Sequence, residues 1–140
     1  MMKSLAAVSL LVPDYDEGPA FLESALGFAV EEDIPLGAGK RWVGLAPPEV
    51  GGARIAPALP GDERRRGRFG DQTGGRVGHF LLTDDFEKAY AATRARGATF
   101  LEAPREERYR TVAVFVDPWG GKWDLLQPAG RADRKAGAPG

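Results

Sequence analysis

The chain has 140 residues, of which 43% are hydrophobic and 28% are charged, so its length and composition fit one domain with a packed core. Its 19 basic and 20 acidic residues give a formal net charge of −1, which offers no general attraction to nucleic acid or to an anionic membrane. The absence of cysteine excludes disulfides, thiolate metal sites and cysteine catalysis, and no apolar run reaches transmembrane length.

Residues 5–12 form an apolar run with β character, and we expect the first strand there. A signal peptide is disfavoured because Pro13 and Asp14 follow the run in place of a cleavage site with small residues. We therefore expect a cytoplasmic protein.

The first half continues with a helix and three strands. Either Asp14 or Asp16 is placed to cap a helix that runs to about Leu26 and stops at Gly27. Turn residues then separate three short runs of strand character. The predicted strands are 28–33, 40–46 and 53–58.

Residues 60–76 are polar and rich in glycine, which predicts one long connector. The connector contains the basic run Arg64-Arg65-Arg66, with Arg68 nearby. We interpret this run as a solvated loop, while a flap that contacts an anionic ligand is the alternative.

The second half repeats the order of elements of the first half. Asp84 or Asp85 is expected to cap a helix that runs to about Arg96 and stops at Gly97. The predicted strands of this half are 77–83, 98–102, 109–117 and 121–127.

An internal sequence repeat supports this order, because Val12-Pro13-Asp14 aligns with Thr83-Asp84-Asp85. Each half then reads strand, helix, strand, strand, strand. The halves, about 5–59 and 77–128, are each too small to bury a core alone, so we expect one domain over 1–128. Residues 129–140 lack apolar periodicity and predict a flexible tail.

Five segments in this order resemble the vicinal oxygen chelate superfamily, the group of glyoxalases, bleomycin-resistance proteins and ring-cleaving dioxygenases. The segments are LLVPDYD, FLESALGF, LLTDDFEKAY, RARGATF and VDPWGGKWDLLQP. The resemblance implies an α+β fold in which two βαβββ modules form an open, curled mixed-sheet barrel around a cavity. It also implies a homodimer.

Enzymes of that superfamily hold a divalent metal with four side chains, usually His, Glu or Gln. By position, the resemblance places the four ligands at Ala7, Ile55, Gly78 and Asp124. Three of these residues have no side-chain donor, and one carboxylate is too few for a catalytic ion. We therefore expect neither a bound metal nor another cofactor.

Asp124 stands between Trp123 and Leu125 in an apolar strand, where a carboxylate is unfavourable unless it is paired or faces a cavity. Two interpretations remain open. The carboxylate is satisfied by an arginine or by backbone amides, or it contacts a ligand directly.

His79 is the only histidine. If Gly78, Phe80 and Leu82 face the cavity, strand alternation turns His79 towards the helix, where we expect a structural role. A bulge in the strand would reverse these faces. The alternative is then a ligand or general base paired with Asp124.

The aromatic residues give further candidates for ligand contacts. By alternation, Trp123 packs under a helix, and Trp119 lies in the DPWGG turn, where exposure or a lid contact is expected. Trp42 is out of phase with the apolar residues of its strand. We select Trp42 and Phe80, with Asp124, as ligand-binding residues, although aromatics more often fill a core.

These features favour a protein that binds a small molecule, of the type that sequesters a drug or metabolite, without metal. The alternative is a metal-dependent glyoxalase- or dioxygenase-type enzyme with an atypical ligand set that recruits His79, Glu31 or Glu32. A third possibility is a structural or regulatory dimer with no ligand. Without a nucleophile elbow or a second histidine, we assign no catalytic residue.

Overall fold

A four-stranded mixed sheet with two helices forms the first half of the chain. The structure is a computed structural model, and it describes residues 1–48 and 51–130. The strand order is β1-β4-β3-β2, with β1 parallel to β4 and the other pairs antiparallel. The elements are β1 (Ala7–Leu11), α1 (Glu17–Leu26), β2 (Ala29–Gly37), β3 (Lys40–Ala46), β4 (Arg54–Ala58) and α2 (Glu63–Arg66).

The second half forms a sheet of five strands with one helix. Its strand order is β5-β9-β8-β6, and β7 also pairs with β8; only β5 and β9 are parallel. The elements are β5 (Val77–Leu82), α3 (Phe86–Ala95), β6 (Thr99–Phe100), β7 (Arg105–Glu107), β8 (Arg110–Val116) and β9 (Lys122–Pro128). The α+β prediction, with a mixed and unclosed sheet in each half, is confirmed.

Three element predictions need correction. β2 extends to Gly37, because residues 34–35 pair with β3. The connector contains α2, a single turn nucleated by Asp62, whose side chain accepts a hydrogen bond from Arg65 N at 2.8 Å. Of the predicted strand 98–102, only Thr99–Phe100 forms a strand, β6. A separate strand, β7, follows Pro104, which has no N–H to continue a ladder.

Chain contacts divide the molecule into two compact units, Met1–Phe69 and Gly70–Gly140. The single domain over 1–128 stays a prediction. Most of the predicted tail, residues 131–140, lies outside the described residues. In the described part of the chain, no helix is both long enough and apolar enough to span a membrane.

The helix ends follow the predicted caps. Before α1, Asp14 Oδ1 accepts hydrogen bonds from the backbone N–H groups of Asp16 and Glu17, while the Asp16 side chain makes no capping bond. α1 stops at Gly27, which adopts a left-handed φ of 74°. At α3, Asp85 caps through its side chain, which accepts from Lys88 N at 3.3 Å.

Each unit has its own core between its sheet and its helix. In the first unit, the side chains that are almost fully buried are aliphatic, namely Val12, Leu22, Val43 and Leu45. In the second unit, an aromatic series connects α3 to the sheet. It runs through Tyr90, Phe100, Phe115 and Trp123, with ring centroids 4.4, 5.3 and 5.8 Å apart.

Candidate functional site

The side of the second sheet that faces away from α3 is called here the Asp124 face. Strand alternation in β9 puts the buried Trp123 and Leu125 on the α3 side and Asp124 on the other. The ladder pairs Asp124 with Phe80 of β5 and with Val114 of β8, so these three share the face.

Two large apolar side chains of β5 are exposed on the Asp124 face. Phe80 is 63% exposed, and Leu82, which pairs with Leu126 of β9, is 67% exposed. The predicted ligand residues Phe80 and Asp124 are therefore neighbours, with an apolar surface beside a carboxylate.

A row of alternating charges leads across this face to Asp124, and we call it the charge ladder. Glu102 Oε1 lies 3.0 Å from Arg105 Nε, and Arg105 Nη1 lies 3.4 Å from Glu107 Oε2. Glu107 Oε1 then lies 2.8 Å from Arg110 Nε, and Arg110 Nη1 lies 3.8 Å from Asp124 Oδ2. The last contact is the longest, and it exceeds hydrogen-bond distance.

Asp124 is the most buried member of the charge ladder, with a side chain only 8% exposed. Among residues 1–48 and 51–130, no N–H or O–H group donates a hydrogen bond to its carboxylate. Burial raises the pKa of Asp124 above its ordinary value, while the positive charges of Arg110 and Arg105 act in the opposite direction. The site thus offers a largely buried acceptor whose nearest cation lies beyond hydrogen-bond distance.

His79 lies on the α3 side of β5, where its ring stacks on Trp123 with centroids 4.5 Å apart. Burial lowers the pKa of His79, and the charge of Asp117 partly opposes this effect. A bulge does occur in β5, but Gly78 absorbs it as the residue without a ladder partner. The imidazole therefore points away from Asp124 and has the structural position that alternation predicts.

In the first unit, Trp42 pairs with Ile34 and lies opposite in phase to the buried Val43. Its side chain is 38% exposed, so the ring is accessible on its own sheet. The acids of the alternative ligand set are already engaged in this unit, because Arg54 lies 2.8 Å from both Glu31 and Glu32.

The position carried over from the resemblance to Ile55 is wrong by one residue. Ile55 pairs with Val8 and Leu45 on the helix side and is buried. Ala56 pairs with Ser9 in the parallel ladder, as Asp124 pairs with Phe80 in the other unit. Counting from the second glycine of each turn shifted the phase, because β4 begins two residues after Gly52 whereas β9 begins one residue after Gly121.

The donor set does not fit a divalent metal. With Ala56 in place of Ile55, the four positions are Ala7, Ala56, Gly78 and Asp124, and only Asp124 carries a side-chain donor. Within the described residues, no group of three or more His, Cys, Asp or Glu side chains could hold a metal ion.

Two features of the second unit were missed from sequence. The first is the ion pair of Arg110 with Glu107. Arg110 alternates in phase with Val112 and Val114 along β8, and this spacing was the available signal that it shares a face with Asp124. The second is Asp117, which accepts hydrogen bonds from Trp119 N, Gly121 N and Trp123 Nε1 at 2.9–3.0 Å. A buried indole N–H usually finds an acceptor, and that tendency was the available signal for an acid near Trp123.

The basic run of the connector lies in α2 and is exposed. Arg65 and Arg66 form ion pairs with Asp62 and Glu63 at 3.7 and 3.6 Å. These contacts match the interpretation of a solvated segment.

A cleft of about 760 Å³ opens at the start of α3, on the opposite side of the second sheet from Asp124. Asp85, Phe86, Tyr90 and Gln127 are among its lining residues. Gln127 Oε1 accepts a hydrogen bond from Phe86 N at 2.8 Å. None of the predicted ligand residues lines this cleft.

Known proteins resemble the chain along nearly its whole length. A model of the Glyoxalase/Bleomycin resistance protein/Dioxygenase superfamily matches residues 4–125. An uncharacterized protein of Shewanella frigidimarina (strain NCIMB 400) is 39% identical over 128 residues, which are 91% of this chain and 95% of that protein.

Solved structures share the fold as well. The crystal structure of UcmS2 has a TM-score of 0.78 at 26% identity and covers 90% of this chain and 98% of its own. TnmS3, an antibiotic binding protein from Streptomyces sp. CB03234, has a TM-score of 0.65 at 25% identity and covers 92% and 100%.

Proposed function

The chain belongs to the glyoxalase/bleomycin resistance protein/dioxygenase superfamily, and from this premise we propose that it binds a small molecule on the Asp124 face without a divalent metal. The proposed role is that of a binder that sequesters a drug or metabolite.

The single observation that carries this proposal is the state of Asp124. A largely buried carboxylate whose nearest cation, Arg110, stays beyond hydrogen-bond distance is unfavourable for a fold, and here it lies beside exposed apolar side chains. A ligand that donates a hydrogen bond to Asp124 and covers Phe80 would satisfy the carboxylate and would also remove the apolar ring from water.

The superfamily supplies a precedent for binding. TnmS3 is an antibiotic binding protein, and its fold matches this chain over 92% of its length. Binding of a small molecule therefore occurs on this fold, and the identity of the ligand depends on the particular side chains of each site.

Phe80 is the proposed aromatic contact on the Asp124 face, and Trp42 stays a predicted ligand residue of the first unit. Phe80 stands next to Asp124 in the ladder of the second sheet, and Trp42 is accessible on the first sheet. Rigid aromatic side chains contribute large contact areas to ligand sites at a small loss of conformational entropy.

The metal-dependent alternative is tested by titrating the purified protein with Ni²⁺, Zn²⁺, Mn²⁺ and Fe²⁺ while measuring bound metal and melting temperature. We expect no stoichiometric binding and no rise in melting temperature. About one equivalent of metal with a stabilisation of a few kcal/mol would overturn the metal-free proposal.

The binding proposal itself is tested by tryptophan fluorescence and thermal stability against a panel of aromatic small molecules. A ligand at 100 times its dissociation constant is expected to raise the unfolding free energy by about 2.7 kcal/mol. Replacing Phe80 by Ala is expected to weaken binding, whereas Leu5→Ala, at an exposed apolar position of the first unit, serves as the matched control. No response to any compound would contradict the proposal.

We also propose that the protein is a homodimer. β2 is an edge strand that is exposed along nearly its whole length, with Val30, Ile34 and Leu36 in contact with solvent. Exposed apolar edges in soluble proteins are commonly covered by a partner. A cytoplasmic location stays a prediction.

A further inference from the structure

The charge ladder has an electrostatic imbalance at its buried end. Its three acids, Glu102, Glu107 and Asp124, outnumber its two bases, Arg105 and Arg110, which leaves one excess negative charge. The charges that act on Asp124 are the other four members of the ladder.

Arg110 is divided unequally between two carboxylates. Its Nε donates to Glu107 at 2.8 Å, whereas its Nη1 approaches Asp124 only to 3.8 Å. The charge-assisted hydrogen bond of Arg110 is therefore made to Glu107 and not to Asp124. Lys122, on the same face of β9, forms no ion pair with Asp124.

We propose that the molecule bound on the Asp124 face is an organic cation, a protonated amine on an aromatic or apolar frame, whose N–H group donates a hydrogen bond to Asp124. This inference rests on the proposed function, and it assigns the chemical class of the ligand.

Three features of the face favour this class. An ammonium group supplies the donor that Asp124 lacks, and it also neutralises the excess charge of the ladder. The exposed rings and branched chains of Phe80 and Leu82 provide an apolar surface for the frame of the ligand. An anionic ligand would meet a carboxylate that no hydrogen bond shields, and this repulsion selects against it.

The test compares three probes that share one ring system and differ in their charge: naphthylmethylamine, naphthylmethanol and naphthoate. Dissociation constants are measured by isothermal titration calorimetry at neutral pH and low ionic strength. We expect the amine to bind about tenfold tighter than the alcohol or better, since hydrogen bonds between charged groups are roughly twice as strong as neutral ones. Naphthoate is expected to bind most weakly.

The variant Asp124→Asn keeps the shape of the side chain and removes its charge. We expect it to bind naphthylmethylamine and naphthylmethanol with equal affinity. Asp16→Asn is the matched control, because the Asp16 side chain is 99% exposed and its change alters the net charge equally. This control is expected to retain the full preference for the amine.

The outcomes separate the two proposals. If none of the three probes binds, the proposed binding site fails together with its assigned ligand class. If all three bind with similar affinity, or if the alcohol matches the amine, the face binds small molecules but the assignment of a cation is wrong. The comparison on the unmodified protein decides the question even if the Asn variant does not fold.

Discussion

Asp124 shows how the unfavourable local energetics of one residue can point to a candidate site. Its two neighbours in the chain are buried apolar residues, and its pairing partners across the ladder are Phe80 and Val114. Burial of an ionised carboxylate without hydrogen bonds is unfavourable, so the fold tolerates a local loss of stability at this point. Such losses concentrate where binding requires them.

The first prediction concerns the stability of the Asp124→Asn variant. The folded-state pKa of Asp124 is raised by burial, so its stabilising contribution is complete below the ordinary value of 3.8 and is lost as pH rises through the folded value. We expect the variant to equal the unmodified protein near that pH and to be more stable at neutral pH, as measured by urea unfolding. Lower stability of the variant at neutral pH would show that Arg110 fully compensates the carboxylate.

His79 gives a second prediction with the opposite dependence on pH. Burial lowers its pKa below the ordinary value of 6.5, and the unfolded chain therefore binds the proton more tightly. Its stabilising contribution is complete above that value and falls as pH decreases below it. We expect the urea midpoint to decrease from about pH 7.5 to about pH 5.5, before most carboxylates titrate.

The variant His79→Phe preserves a ring against Trp123 and removes the titration. We expect its urea midpoint to change less over the same interval. An identical pH dependence in both proteins would mean that another group is responsible.

A third prediction at this scale concerns Asp117, whose carboxylate organises the turn before β9. Removing it in Asp117→Ala leaves two backbone N–H groups and the Trp123 indole N–H without an acceptor. We expect a loss of about 3 kcal/mol in the free energy of unfolding, and about half of that for Asp117→Asn. Denaturation followed by tryptophan fluorescence measures both, and a change under about 0.5 kcal/mol for the Ala variant would contradict the assigned role.

At the scale of elements, alternation and caps follow from local rules. β9 puts Trp123 and Leu125 on one side and Asp124 on the other, as its sequence predicts. The helices end where glycine permits a left-handed residue, and Gly27 with φ 74° is the clear case. Errors arose where pairing is decided at a distance, as with Ile55.

Gly18 gives a prediction at the scale of elements. It lies in the first turn of α1, and a Cβ atom there would stand 2.7 Å from Val12 Cγ1, so α1 and the end of β1 approach closely. Alanine is the better helix former, yet we expect Gly18→Ala to destabilise the protein by about 2 kcal/mol through overpacking.

The exposed Ser24→Ala in the same helix is the matched control for Gly18→Ala, and it is expected to change stability by less than about 0.5 kcal/mol. Thermal and urea unfolding of the two variants measure the difference. A Gly18→Ala protein that is more stable than the original would show that the contact with Val12 relaxes freely.

At the scale of the whole molecule, two units of the same architecture build one chain. Each unit pairs its first strand in parallel with its last, and its remaining pairs are antiparallel. Such a unit shows its helix side to a core and its other side to solvent or to a ligand. Because the two units share one architecture, equivalent positions carry different residues: Ala56 in the first unit and Asp124 in the second.

The proposed dimer is the prediction at this scale. Light scattering coupled to size-exclusion chromatography is expected to give twice the mass of 15.0 kDa, because exposed apolar residues on β2 are unfavourable in a monomer. A mass that stays at one chain over a wide concentration range would overturn this proposal.

The sequence by itself determined the order of the elements, the α+β class and the face on which Asp124 lies, because these depend on hydrophobic period, caps and alternation within short segments. Only the tertiary structure decided which groups meet. Arg110 approaches Asp124 because β8 and β9 pair in one register, and Ile55 turns to the helix side because β4 pairs with Val8 and Leu45. Register depends on contacts between residues distant in the chain, and a shift of one position exchanges the two faces of a strand.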